Sequence, residues 1–347
     1  MSDVKISALP VGVATSSTPF PAVVGGVTDQ VTLAPVYTSL AGKAATSHTH
    51  AESDVTNLVS DLAGKAAASH THAESDITNL VSDLSALATS IPAQCRLQVD
   101  STTQISLQRY QGSQIAIKTG STWGVMVIPS SGPTLANTGL TAATKYYIYA
   151  FNNSGTLALE ASTTGHATDS DVGVEIKSGD ATRTLVGMVF MDAGTPGTFV
   201  SSAVKRWCIN WFNRSGLDMV NTYSADRSSS STSFAELNSE IRLQFLTWAD
   251  EAVFVCVEGS CQTDSSGQAT VNGVDFDSTT TAAQAVSAIM TASQAQPYAV
   301  SVMKRLSEGN HIAHHNVGVS GGTASWTTAD SIGTGKAKTR FWGLIRG

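Results

Sequence analysis

The sequence predicts a mostly β chain, with a short stalk built from a repeated unit and two β-sandwich domains of jelly-roll-like type behind it. Three observations carry this. Only 14% of the 347 residues are charged, well below the roughly 25% of ordinary soluble domains. Ser and Thr fill about a quarter of the positions and Gly contributes 29, a composition that favours strands and turns over long helices. From Cys95 onward, runs of β-branched and aromatic residues recur between Gly, Asn, Ser and Asp turns about every ten residues, the spacing of a sandwich. Before them stands an internal repeat too short to bury an apolar face by itself.

Residues 1–40 form the first piece. KISALP and TPFPAVVGGVTDQVTLAPVY read as short β-runs broken by Pro and Gly-Gly. The piece is too small to fold alone, so a docking role is expected.

Residues 41–91 are the stalk. Residues 41–62 and 63–84 match at 20 of 22 positions, differing only at Thr46/Ala68 and Val55/Ile77. The second half of each copy predicts a helix, with Val55, Leu58, Val59 and Leu62 in helical spacing and Ser53 or Asp54 as cap. In the second copy Ile77, Leu80, Leu84, Leu87 and Ile91 step by 3, 4, 3 and 4 up to Pro92, a coiled-coil stripe. Two heptads do not hold a helix alone in water, so identical neighbours are expected to complete it. The first half carries Ser-His-Thr-His. In an extended chain His48 and His50 point to one side, as do His70 and His72. Three chains would offer six imidazoles per level, an octahedral set for iron or another first-row metal. Two chains would offer four, which suits tetrahedral zinc.

Residues 92–203 predict the first sandwich through ISLQRY, SQIAIKT, WGVMVIP, KYYIYAFN, TLALEAS, GVEIKS and TLVGMVFM, with a hairpin turn around Asn153-Ser154-Gly155. Residues 204–347 predict a second, from RWCINWFN to KTRFWGLIRG, interrupted by one helix at Thr281 to Gln294 and a loop at DRSSSSTSFAEL. The four cysteines read as buried thiols of a protein made in a reducing cytosol, with a Cys256–Cys261 bridge across a hairpin as the alternative.

Charge narrows the function. The net charge is −7 and no Lys/Arg run exceeds two residues, so a nucleic-acid surface is not expected. Met1 to Pro10 shows no secretory signal pattern and no stretch reaches 18 apolar residues, so membrane insertion is not expected either. Glycan hydrolysis needs two carboxylates flanking a glycosidic bond. Glu236, Glu240, Glu251, Glu258, Asp275 and Asp277 are acids of the right kind, but nothing in the sequence brings two of them together. His311, His314 and His315 form the remaining His cluster, able in principle to bind a metal, act in acid–base chemistry or stand at strand ends. Asp169 and Asp171 lack the further ligands of a calcium site, and VSGGTAS lacks the Lys of a phosphate loop. Among Trp207, Trp211, Phe212, Trp326, Phe341 and Trp342, the polar flanks of Trp326 mark it as the exposed one.

Taken in order, KISALP with FPAVVGGVTDQVTLA, the doubled GKAAASHTHAESDITNLVSDL unit, the stretch from GLTAATKYYIYAFNNSGTLALE to TRTLVGM, and RWCINWFN resemble bacteriophage tail fibre or receptor-binding proteins. The resemblance implies a homotrimeric fibre assembled in the host cytoplasm and carried on the virion tail. Residues 1–40 would attach it to a baseplate or tail protein. His48, His50, His70 and His72 from three chains would create two stacked metal layers along the axis, holding iron. The distal domain would bind a host-surface glycan or lipopolysaccharide, with Trp326, His311, His314 and His315 as contact residues. The expected mechanism is adhesion without covalent chemistry. The alternatives are a tailspike depolymerase acting on surface polysaccharide and a purely structural baseplate or decoration protein.

Overall fold

The computed structural model of the chain describes residues 19–24, 27–32, 51, 93–194 and 196–347. The stalk residues His48, His50, His70 and His72 and the heptad stripe lie outside the described residues. The chain divides into two compact units, Met1–Asp76 and Ile77–Gly347. In the first, β1 (Pro19–Val24) and β2 (Val27–Thr32) form an antiparallel hairpin in register Val24↔Val27.

The second unit is mostly β, as the composition predicts. It opens with β3 (Cys95–Ser101), β4 (Gln104–Arg109), β5 (Gln114–Thr119), β6 (Thr122–Val127), β7 (Thr134–Ala136), β8 (Lys145–Asn153) and β9 (Thr156–Ser162). Then come β10 (His166–Thr168), β11 (Glu175–Lys177), β12 (Asp180–Phe190), β13 (Lys205–Arg206), β14 (Cys208–Asn210), β15 (Gly216–Thr222), β16 (Arg227–Ser229) and β17 (Ala235–Glu236). The chain finishes with β18 (Leu243–Thr247), β19 (Ala252–Thr263), β20 (Ala269–Phe276), β21 (Gln284–Ile289), β22 (Gln296–Arg305), β23 (Gly309–Val319), β24 (Ala324–Trp326) and β25 (Arg340–Arg346).

One sheet, in the order β10-β11-β12-β8-β9 with β14 added beside β12, is apolar on both faces. The reason is legible in β8, KYYIYAFNN, where successive side chains point to opposite faces. Tyr146, Ile148 and Ala150 enter one core, together with Leu97, Ile105, Leu107, Ile115 and Ile117 of β3, β4 and β5. Tyr147 and Tyr149 enter the other, with Trp207, Leu246 and Trp248. Strands β12 and β14 divide in the same way: Val186, Val189 and Cys208 face the first core, Leu185, Met188 and Ile209 the second. Each fully buried aliphatic or aromatic side chain contributes about 1.5–3 kcal/mol, so this wall holds both sides together. The turn from β8 to β9 is the hairpin expected at Asn153-Ser154-Gly155. Asn153 pairs with Thr156, and Ser154 and Gly155 both have positive φ, 52° and 90°, the type I′ geometry that matches strand twist. Gly187 lies at a bulge of β12, where an added Cβ would come within 2.6 Å of the Ile209 carbonyl.

Beyond the wall, the sheet β13-β18-β23-β20-β21 packs face to face against β15-β25-β19-β24-β16, with β22 paired to β19. Phe245, Val274, Ala313 and Val317 from the first sheet meet Met219, Val255, Val257, Trp326 and Phe341 from the second. This is the expected sandwich.

Three local expectations are corrected. Thr281 to Gln294 is not helical: its Ala-rich stretch pairs with β20 as the edge strand β21, in register Asn272↔Val286, so sheet pairing overrides helix propensity. DRSSSSTSFAEL is not loop throughout, because it contains β16 and β17. Cys256 and Cys261 are successive members of one strand, β19, about 16 Å apart at strand rise. All four cysteines are free and buried, and burial pushes the Cys95 and Cys208 thiols up to about 12.

Candidate functional site

The His311–His315 cluster lies on β23, the central strand of its sheet. Alternation along the strand sets His314 on the face opposite to His311 and His315. His315 points into the sandwich and is fully buried. Tyr223 donates its hydroxyl to Nδ1 at 3.0 Å, while Nε2–H donates to Asn272 Oδ1 at 3.2 Å. The same Asn272 oxygen accepts the indole N–H of Trp326 at 2.6 Å. Neutral imidazole satisfies this arrangement completely, and burial pushes His315 down to about 3. Burial likewise raises Tyr223 well above its ordinary value.

Trp326, expected at the surface, is 0% exposed. The correction has a simple cause. Ser325 and Trp326 alternate on β24, so the polar neighbour faces outward and the indole inward. His311 and His314 are also buried, not surface groups at a strand end. His311 bridges Asp277 at 2.6 Å and the Ser307 carbonyl at 2.8 Å. His314 Nδ1 meets Glu236 Oε1 at 2.8 Å, and Arg242 grips both oxygens of that carboxylate at 2.6 Å. Burial works to raise Glu236, but Arg242 and His314 outweigh it and hold the carboxyl below its usual value. The four expected contact residues therefore brace the sandwich. Every side-chain nitrogen of Trp326, His311 and His315 is engaged, and of the four residues only His314 keeps a ring nitrogen, Nε2, outside these bonds.

Three of the other expected acids are similarly occupied, while Glu258, half-buried on β19, has no side-chain hydrogen bond or ion pair among the described residues. Glu240 binds Arg227 and Ser224, Glu251 binds Arg214, and Asp275 accepts from Thr281 and the Phe276 amide. Asp169 accepts the amides of Asp171 and Val172, closing its own turn. Among the described residues, no group of three His, Cys, Asp or Glu side chains is arranged to hold a metal ion.

Two features escaped the sequence. A groove of about 240 Å³ opens on the outer face of β20 and β23, lined by Thr232, Ser233, Phe234, Val271, Gly318 and Ser320, with Ala269 and Val319 completing it. Its lining is uncharged and combines hydroxyls with one aromatic ring, and its only sequence signal was the Ser-rich run ending at Phe234. The second feature is a polar and aromatic cluster around His166. Its ring centroid lies 5.3 Å from Trp211, 5.9 Å from Trp248 and 5.6 Å from Tyr147. Its carboxylate partners, Glu175 and Glu308, are 9 and 142 positions away in sequence. Local reading cannot join groups so far apart.

Among solved structures, the chain is similar to that of the infectious bursal disease virus Gx strain, with 11% identity, 74% of each chain covered and a TM-score of 0.28. The VP2 subviral particle of the same virus gives 13% identity, 78% coverage of each chain and a TM-score of 0.30. A Cry1Da tryptic core variant from Bacillus thuringiensis gives 8% identity, 76% of this chain and 54% of that one, with a TM-score of 0.20. Similarities this low carry no argument. No curated protein matches the chain. Among the described residues no helix is long and apolar enough to cross a membrane. Residues 34–87, which contain the whole of the doubled unit, match the family model described as phage tail repeat like, and this match supports a phage tail-associated protein.

Proposed function

We propose that the chain is a homotrimeric tail fibre adhesin, docked on the virion through residues 1–40 and binding a glycan on the host surface through its distal sandwich. The observation that carries the reading is the phage tail repeat match over the doubled unit. That unit has an apolar stripe and two His pairs which only further copies of the chain can complete. In the stalk, His48, His50, His70 and His72 from three copies would hold iron, since imidazole suits first-row metals. Binding rather than hydrolysis is favoured because five of the six candidate acids, Glu236, Glu240, Glu251, Asp275 and Asp277, are engaged in structural hydrogen bonds, which leaves Glu258 without an unengaged carboxylate among them to pair with. The uncharged groove beside Phe234 is the surface proposed for the receptor, since neutral hydroxyls and an aromatic ring match the two faces of a sugar.

Association of copies is also favoured by the outer face of β15, β25, β19 and β22. In register, Val220, Trp342 and Cys256 form one row, and Leu344, Phe254 and Met303 the next. Met303 is 71% exposed in the single chain. Outward faces of antiparallel sandwiches are ordinarily polar.

The test uses the full-length protein. Native mass should read three chains, and metal analysis should read two ions per trimer. Protein added to host cells should bind and block infection without releasing reducing sugar ends from their polysaccharide. A single-chain mass overturns the trimer, and sugar release favours the depolymerase. Binding that is unchanged in Phe234→Ala removes the groove from the proposal.

A further inference from the structure

Strand β10 places His166 at the seam between the wall sheet and the distal sandwich. Its Nδ1 lies 2.5 Å from Glu175 Oε2 on β11, and its Nε2 lies 3.1 Å from Glu308 Oε2 in the turn between β22 and β23. A carboxylate only accepts hydrogen bonds. Both ring nitrogens must therefore carry a proton, and the imidazole that makes both contacts is a cation. Glu308 is bound a second time from the wall, by the Tyr147 hydroxyl at 2.5 Å, and Lys145 donates to that hydroxyl at 2.9 Å. On the sandwich side, Arg214 lies over the rings of Trp211 and Trp248 and pairs with Asp250 and Glu251. The Glu175 and Glu308 carboxylates are thus balanced by His166 and Lys145, and a neutral imidazole would leave a surplus negative charge in a half-buried site.

We propose that His166 is a proton-dependent clasp between the wall sheet and the distal sandwich: as an imidazolium it ties Glu175 to Glu308, and loss of its proton frees the Glu308 turn. The clasp owes nothing to the tail reading and would operate in a protein of any function. The electrostatics agree with the geometry. The hydrogen bond to Glu308 lifts the imidazole above its usual value against the opposing effect of burial, and Glu175 adds to the lift. Burial would raise Glu308, but His166 and Tyr147 outweigh it and hold that carboxyl low. A raised histidine stabilises fully below about 6.5 and ceases to do so as pH rises through its elevated folded value; a lowered carboxylate keeps the clasp closed until strong acid. The clasp is therefore shut in mild acid and opens towards alkaline pH.

Hydrogen exchange of the full-length protein over residues 306–310, corrected for intrinsic rate, tests this between pH 6 and 9. The wild type should open the turn progressively, by up to about tenfold per pH unit once past the His166 midpoint, the limit for release of one proton. His166→Gln should be open and flat across the range. His311 braces the same turn through Ser307, so His311→Gln separates the two rings and should keep the wild-type pH dependence. A flat wild-type profile, a pH dependence that survives in His166→Gln, or one that disappears in His311→Gln overturns the clasp.

Discussion

The interior of the distal sandwich and its seam with the wall sheet each hold a histidine among aromatic rings, yet they favour opposite charge states. His315 faces one hydroxyl that donates and one amide oxygen that accepts, so the neutral ring fits. His166 faces two carboxylates and fits only as a cation. Burial disfavours charge at both sites, and at His166 two acceptor-only partners reverse the outcome. The character of the partner atoms decides the protonation state here, and the degree of enclosure comes second.

The largest test of the contrast removes the ring that closes the interior network. Trp326→Ala should cost about 3–5 kcal/mol, as for other buried Trp or Phe truncations, and leaves Asn272 Oδ1 with one donor fewer. Urea unfolding at neutral pH measures it, and a loss below 1 kcal/mol would mean that the network carries little. Next comes acid. The unfolded chain protonates this histidine near 6.5, whereas the folded chain resists until about 3, so stability falls as pH drops through that window, by on the order of 5 kcal/mol. His315→Gln cannot titrate there and should flatten that part of the pH–stability curve.

At the seam, Glu308→Gln should cost about 1–2 kcal/mol near pH 6 and less near pH 9, because it removes a charge-assisted partner that matters most while His166 is protonated. Thermal midpoints at the two pH values check the difference, and equal losses would break the comparison. The smallest effect belongs to an open pair. Arg340 and Asp330 meet at 3.3 Å with both side chains more than half exposed, so Arg340→Ala should change stability by less than about 1 kcal/mol, with no pH dependence near neutrality.

How far the sequence foretold these sites follows from how local their causes are. KYYIYAFN announced a strand because aromatic residues and Ile148 dominate it, broken only by Ala150, and it lies within β8 because both of its faces are packed. SQIAIKT and TLALEAS were legible for related reasons, as β5 and β9. The Ala-rich segment that became β21 was not, since its pairing with β20 is a tertiary choice and five of its six residues stay exposed. Trp326 was misjudged because its polar neighbour was read as a polar environment, when alternation along a strand makes Ser325 the outer companion of an inner Trp. His166 gave no local sign at all, because its meaning arrives with Glu308 from a distant turn.

The doubly packed wall has a consequence for any attempt to harvest the distal sandwich by itself. Trimming the chain at residue 203 would keep β14 while discarding β8 and β12, the strands it leans on. Trp207, Ile209, Leu246 and Trp248 would lose Tyr147, Tyr149, Leu185 and Met188 as neighbours. Such a fragment would meet water with a greasy flank and clump. A soluble excised tip has to begin upstream of β3, taking the whole of the first sandwich along as its lining.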